Sequence, residues 1–369
     1  LNQKGDLLQK NNKNNFLDSI TSLRGILALW VVMHHFNFCC FTHKFDFSIF
    51  EPITSKGYYA VDGFFILSGF IVSYVYMEKL STFNLTSMAK FLILRLARIY
   101  PIHIVTILAY VFIIYICKLP MAGDYSFINL IYNLLLINSW GVANDFSWNG
   151  PSWSLSAEWF LYLLFPFLAI LFSRLKGLKT NIALILIILL AEYFIKKQDL
   201  SQINFFVFRG IIRVIFQFLY GIFIFNVYSI FPKKSIIYDC FSAFNFLLLL
   251  AVVYFSDQIL NVTAYYSNQD MLIVFLMGQL IFSLSKCSGF MLNIFNSKVL
   301  QWLGLISYSM YMVHSPISQI MESLLTLNNI RNNMFIMPVY VLLVLLVATL
   351  TYRFVEAPTR DYIKNKVVN

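Results

Sequence analysis

The run SLRGILALWVVMHHF, residues 22–36, carries an arginine near one end and two histidines near the other. Near neutral pH an imidazole is a base, a proton carrier or a nucleophile. A guanidinium is a fork-shaped receptor for phosphate or carboxylate. Arg24 and His35 are eleven residues apart, so in a helix they fall within about 20° of one face and about 16 Å apart along the axis. His34 points about 100° away from that face and reads as a structural interhelical hydrogen-bonding group. One helix face therefore offers a fixed cation at its start and a base well along it.

Other apolar runs hold ionisable groups in a similar way. Asp62 stands in GYYAVDGFFILSGF (57–70), Glu158 in PSWSLSAEWFLYLLFP (151–166) and His314 in LGLISYSMYMVHSPI (303–317). A carboxylate can orient an imidazole and stabilise its protonated form. Asp62 and Glu158 are both candidates, and helical depth does not rank them. Each can instead be the partner of a buried arginine, because charges inside a membrane pair with one another. In RLARIYP (95–101), Arg95 and Arg98 are three apart and share a face. Their types suit an anionic ligand such as a phosphate, although a basic anchor at a membrane surface also uses arginines. Arg209 and Arg213 either contact an anionic acceptor or pair with the acids. His314 is a candidate for the acceptor cavity, and Tyr308 and Tyr311 fit either that cavity or plain packing.

These groups need elements to position them. The chain has 369 residues, of which 59% are hydrophobic and only 12% charged, with a mean hydropathy of +0.72. A globular domain is about half apolar and a quarter charged, so this is an integral membrane protein. The expected fold class is all-α, a polytopic bundle of about ten transmembrane helices. The apolar windows lie near 21–41, 58–77, 99–117, 153–173, 181–195, 205–228, 241–256, 271–285, 299–321 and 334–354. With the N-terminus inside, most of the 27 lysines and arginines fall in inner segments, as the positive-inside rule demands. Both termini are then cytoplasmic, and the net charge of +10 needs no nucleic acid to explain it.

This topology divides the chain into a cytoplasmic N-terminal segment (1–20), a transmembrane domain (21–356) and a cytoplasmic C-terminal tail (357–369). It places Arg24, Arg95 and Arg98 at the inner face, and His35, Asp62, Glu158 and His314 in the outer half. No cleavable signal peptide is expected, because the polar start is followed by a run long enough to span. Cys39, Cys40, Cys117, Cys240 and Cys287 lack metal-ligand spacing and read as small hydrophobes. No metal site is expected.

Taken in order, LRGILALWVVMHHF, VDGFFILSGF, RLARIYP, WSLSAEWFLYLLFP, LGLISYSMYMVHSPI and VEAPTR resemble the acyltransferase type 3 family of integral membrane acyltransferases. The resemblance runs from about Leu23 to Arg360. Gly63, Ser68 and Gly69 match family positions, as do Trp153, Ser154 and Tyr162 around Glu158. It implies transfer of an acyl group, usually acetyl from cytoplasmic acetyl-CoA, to a hydroxyl of a cell-envelope glycan such as a lipopolysaccharide O-antigen or another exopolysaccharide. The location it implies is the bacterial cytoplasmic (inner) membrane. The family's arginine, ten intervening residues and histidine fall on Arg24 and His35, and its arginine pair falls on Arg95 and Arg98. The three arginines are then expected to hold the donor's phosphates, with His35 acting as general base or as transient acyl carrier. Some members add a soluble esterase-like domain; without one, a second transfer step is expected to need another protein. The alternative of another class is a transporter or flippase for a glycolipid or organic anion, which would move its solute without acetyl-CoA.

Overall fold

A helix satisfies its backbone N–H and C=O groups within one segment, and a chain this apolar accordingly folds as helices. The computed structural model describes residues 2–36, 50–119, 124–143, 147–175, 177–197, 210–231, 233–259, 270–327 and 335–368. The helices are α1 (Asn2–His35), α2 (Glu51–Thr54), α3 (Tyr59–Tyr76), α4 (Leu85–Val111), α5 (Phe127–Leu134) and α6 (Ser152–Arg174). They continue with α7 (Leu178–Lys197), α8 (Arg213–Ile230), α9 (Ile237–Tyr254), α10 (Ser256–Ile259) and α11 (Asp270–Lys286). The last are α12 (Phe290–Phe295), α13 (Lys298–Leu305), α14 (Ser307–Leu327), α15 (Ile336–Thr351) and α16 (Ala357–Val368). No strand occurs among the described residues.

Six helical stretches among the described residues are long and apolar enough to cross a membrane: Tyr59–Tyr76, Leu85–Ile116, Ser152–Arg174, Gly210–Ile230, Ile237–Tyr254 and Ile336–Val367. Each falls on an expected window. Two shorter apolar helices, Lys179–Ala191 and Met271–Lys286, fall on the windows 181–195 and 271–285. The remaining two windows behave differently. The helix over 21–36 carries Arg24, His34 and His35 within its apolar half, and residues 37–41 lie outside the described set. The window 299–321 is broken at Ile306, between α13 and α14. Past the break, α14 buries Ser307, Ser309, His314, Ser315 and Ser318. A polytopic helical bundle is what the described residues support, and the count of ten is not reached. The groups that could do chemistry are the ones that dilute these two apolar runs.

α1 is the hub, touching α3, α11, α12, α13 and α14. Two of the closest crossings depend on glycine, because small residues let membrane helices approach backbone to backbone. Where α3 meets α8, a Cβ on Gly221 would lie 2.8 Å from Phe70 N, and one on Gly69 would lie 2.9 Å from the Phe218 carbonyl carbon. Where α1 meets α13, a Cβ on Gly25 would lie 2.6 Å from Gly304 N. The bundle's outer surface is apolar, with Leu186 and Ile187 of α7, Phe244 and Leu247 of α9, and Leu342 and Leu346 of α15 all exposed.

Helix ends are closed by charge. The Asp239 carboxylate accepts from the backbone N–H groups of Ser288 (2.9 Å), Gly289 (3.0 Å) and Met291 (2.9 Å) around the start of α12. The Lys286 ammonium donates to the Tyr228 carbonyl (2.9 Å) and to that of Phe231 at the end of α8. Residues 357–368, expected as a cytoplasmic tail, are helical and continuous with α15: a π-helical turn at Tyr352–Glu356 joins α15 to α16. α16 then packs against α4.

Candidate active site

Because α1 runs unbroken to His35, the helical phase that relates Arg24 to His35 is preserved. Arg95 and Arg98 stand on adjacent turns of α4. The three arginines line two cavities at once. One is a chamber with mostly apolar walls, among them Val61, Phe65, Leu67, Val72, Ile99 and Leu155. The other is a vestibule, to which Lys79, Arg360 and Lys364 also contribute. Arg24, Arg95 and Arg98 are therefore the neck between a basic mouth and an apolar interior.

Each α4 arginine is held by aromatic groups. Arg95 Nη2 donates to Tyr76 OH (3.2 Å), and its guanidinium lies 5.1 Å from the Tyr76 ring centre. Arg95 Nε is buried and has no hydrogen-bond partner among the described residues. Arg98 forms an ion pair with the fully buried Glu356 and lies 5.6 Å from the Tyr308 ring centre. Ser309 Oγ donates to the other oxygen of Glu356 (2.7 Å). Sequence reasoning passed over Glu356, although it is the acid within VEAPTR. The signal was a carboxylate at the end of the last apolar run, where a buried cation is its natural partner.

Inside the chamber, Glu158 Oε1 accepts from Ser68 Oγ (2.5 Å) and from Tyr162 OH (2.6 Å). These hydroxyls come from positions flagged by the family resemblance, and with Glu158 they form one polar patch on the chamber wall. Asp62 lies elsewhere. Arg213 grips it with both arms, Nε at 2.5 Å from Oδ1 and Nη2 on Oδ2, and Nη2 also reaches Tyr58 O at 3.3 Å. Of the two alternatives for these residues, the structure displays the acid–arginine pair. Arg209 lies outside the described residues.

The histidines form a second centre. His35 Nδ1 is 3.0 Å from Val31 O, and His314 Nδ1 is 2.6 Å from Tyr311 O. A carbonyl only accepts, so in each neutral ring Nδ1 carries the hydrogen and Nε2 presents a lone pair. The two rings stand edge to face with centres 4.6 Å apart. His314 Nε2 is buried with no partner among the described residues. His34 faces away, as its phase requires, with Nδ1 3.2 Å from Thr54 O and its ring against Tyr58.

Tyr311 connects the two centres. It lines the chamber, its hydroxyl meets Ser154 Oγ (2.7 Å), and its ring lies 5.8 Å from that of His314. The structure thus gathers Arg24, Arg95, Arg98 and Glu158 around the chamber, and His35 with His314 beyond Tyr311. No group of three or more His, Cys, Asp or Glu side chains is placed to hold a metal ion among the described residues.

Known proteins with similar sequences bear on what such an arrangement is for. The chain is 35% identical over 160 residues to acyltransferase MdmB of Streptomyces mycarofaciens, covering 41% of this chain and 38% of that protein. It is 22% identical over 381 residues to the peptidoglycan O-acetyltransferase OatA of Listeria monocytogenes, covering 96% of this chain and 57% of that protein. The chain therefore spans little more than half the length of that second relative, and less of the first. No solved structure matches it. Residues 17–353 match a family model described as an acyltransferase domain. That match takes in the phased Arg24 and His35, the arginines of α4, Glu158 and His314, and the chain belongs to the acyltransferase type 3 family.

Proposed function

We propose that the protein is an integral membrane O-acyltransferase that moves an acyl group, acetyl in the first instance, from acyl-CoA on the cytoplasmic side to a hydroxyl of a cell-envelope glycan. The observation that carries this reading is the convergence of Arg24, Arg95 and Arg98 at the neck between a basic vestibule and an apolar chamber. Guanidinium groups bind phosphate through charge-assisted hydrogen bonds. An apolar passage with a few hydroxyls suits the long pantetheine arm. With phosphates at the neck, the thioester points into the bundle toward the histidines.

Two routes use the Nε2 lone pair of His35. As a base, it takes the acceptor's hydroxyl proton while that oxygen attacks the thioester carbonyl; the C–S bond breaks and the CoA thiolate leaves. As a carrier, Nε2 attacks the thioester itself, expels the thiolate, and yields the acetyl group to the acceptor oxygen in a second displacement, the hydroxyl proton passing to His314 Nε2. His314 Nε2 supplies a second acceptor atom beside it for the incoming hydroxyl. The neck arginines face the cytoplasm of a bacterial inner membrane in this reading, with both termini on that side. The Listeria relative is named for peptidoglycan. A lipopolysaccharide O-antigen or another exopolysaccharide offers the same class of hydroxyl.

The test is release of CoA thiol from acetyl-CoA by the purified protein in lipid nanodiscs with envelope glycan, followed by mass spectrometry of the glycan. Wild type and His34→Ala are expected to release thiol and add an acetyl increment, whereas equally folded His35→Ala does neither. A transporter or flippase would release no thiol. Full turnover by His35→Ala would remove the histidine from the mechanism.

A further inference from the structure

VEAPTR (355–360) ends in an arginine that has no part in the transfer described above. Its glutamate turns inward to Arg98. Arg360 lies about one turn further on, in α16, and Lys364 follows four residues later on the same face. Both line the vestibule, together with Lys79 from beyond the end of α3. With the neck arginines, six cationic side chains border one cavity, and no aspartate or glutamate does so among the described residues. Asp361 is exposed and meets Arg360 Nε at 3.0 Å, but it does not line the vestibule.

Membrane anchoring does not require this convergence. Cations scattered around the loops satisfy the positive-inside rule, whereas six around one hollow repel one another and favour an anion there. The cations also fall into two tiers. Arg24, Arg95 and Arg98 border both cavities, while Lys79, Arg360 and Lys364 border the vestibule alone. Buried Arg95 Nε, with no partner, is a further donor awaiting an acceptor at the inner tier.

We propose that α16 is part of the donor site, with Arg360 and Lys364, aided by Lys79, binding the phosphate on the donor's ribose. The inference rests on acyl-CoA being the donor. With the diphosphate at the neck and the pantetheine arm in the chamber, the nucleoside stays in the vestibule. Its ribose phosphate then meets the outer tier. The protein consequently selects a thioester with a phosphorylated ribose over the same thioester without that phosphate. Anionic lipid headgroups present related phosphate chemistry, and the experiment separates the two sources.

Thiol release is measured in neutral phosphatidylcholine nanodiscs with acetyl-CoA, acetyl-dephospho-CoA and S-acetylpantetheine, for wild type and for Arg360→Ala/Lys364→Ala. Wild type is expected to show a KM for acetyl-dephospho-CoA on the order of tenfold above that for acetyl-CoA, the scale of one charge-assisted contact. The double variant should raise the acetyl-CoA KM to the dephospho value, the change falling on KM rather than kcat, and leave the other two donors as they were. A folded double variant with an unchanged acetyl-CoA KM overturns the proposal, as does an equal rise for all three donors. If wild type treats the two nucleotides alike and added phosphatidylglycerol raises its KM, the outer tier belongs to lipid and the proposal falls. If wild type releases thiol from no donor, the transfer reading itself has failed and takes this one with it.

Discussion

A carboxylate buried in a membrane protein needs a cation beside it, and both oxygens of Asp62 have one in Arg213. Removing one member of a buried pair leaves the other charge uncompensated, at a cost of about 3–5 kcal/mol, while replacing both by apolar residues of similar volume is close to neutral. Asp62→Asn is therefore expected to lower the unfolding temperature in detergent, and Asp62→Leu/Arg213→Met to recover most of the loss. If acyl transfer survives in the recovered double variant, the pair is structural. If it vanishes while the fold is intact, Asp62 belongs to the chemistry. Within one helix such assignments were legible beforehand. The spacing of Arg24 and His35, and of Arg95 and Arg98, fixes a common face through local geometry alone. Partners on different helices were not legible, since depth supplies one coordinate where three are needed. Asp62 and Glu158 looked equivalent for that reason, yet one meets Arg213 and the other meets Ser68 and Tyr162.

Helices read well from apolar windows where lipid surrounds them and less well where protein does. α9 and α15 expose broad apolar faces, and their windows coincide with spans. α1 and α14 are packed within the bundle, so they tolerate arginine, histidine and serine that lipid would exclude, and their hydropathy falls accordingly. The break at Ile306 and the π-helical turn before α16 leave no sequence period to detect. The crossing of α3 and α8 is more demanding than its apolar composition implies. Gly69→Leu drives a side chain into the backbone at Phe218, and overpacking of this kind costs about 1–3 kcal/mol or more. The expected outcome is loss of the monodisperse, folded species on size-exclusion chromatography. Gly150→Ala is the matched control: a Cβ there meets nothing within 4 Å, and the elution profile should not change.

Across the whole molecule, the net charge of +10 is concentrated in part at a single cavity mouth. Fields from such a mouth act on charged ligands over roughly a Debye length, which shrinks from about 10 Å at 0.1 M salt to about 3 Å at 1 M. The KM for acetyl-CoA should accordingly rise across that range, whereas that for S-acetylpantetheine, which carries no phosphate, should hold steady. A parallel rise for both donors would point to salt acting on the fold. The neck has a further effect on the membrane that houses it. An open hollow inside a membrane-spanning bundle is a hazard to any cell that stores energy as an ion gradient. Three guanidinium groups shared by both cavities repel metal cations and hydronium, much as an arginine does in a water-selective pore. On the proposed function, the same side chains that receive an anion also act as an electrical seal between turnovers.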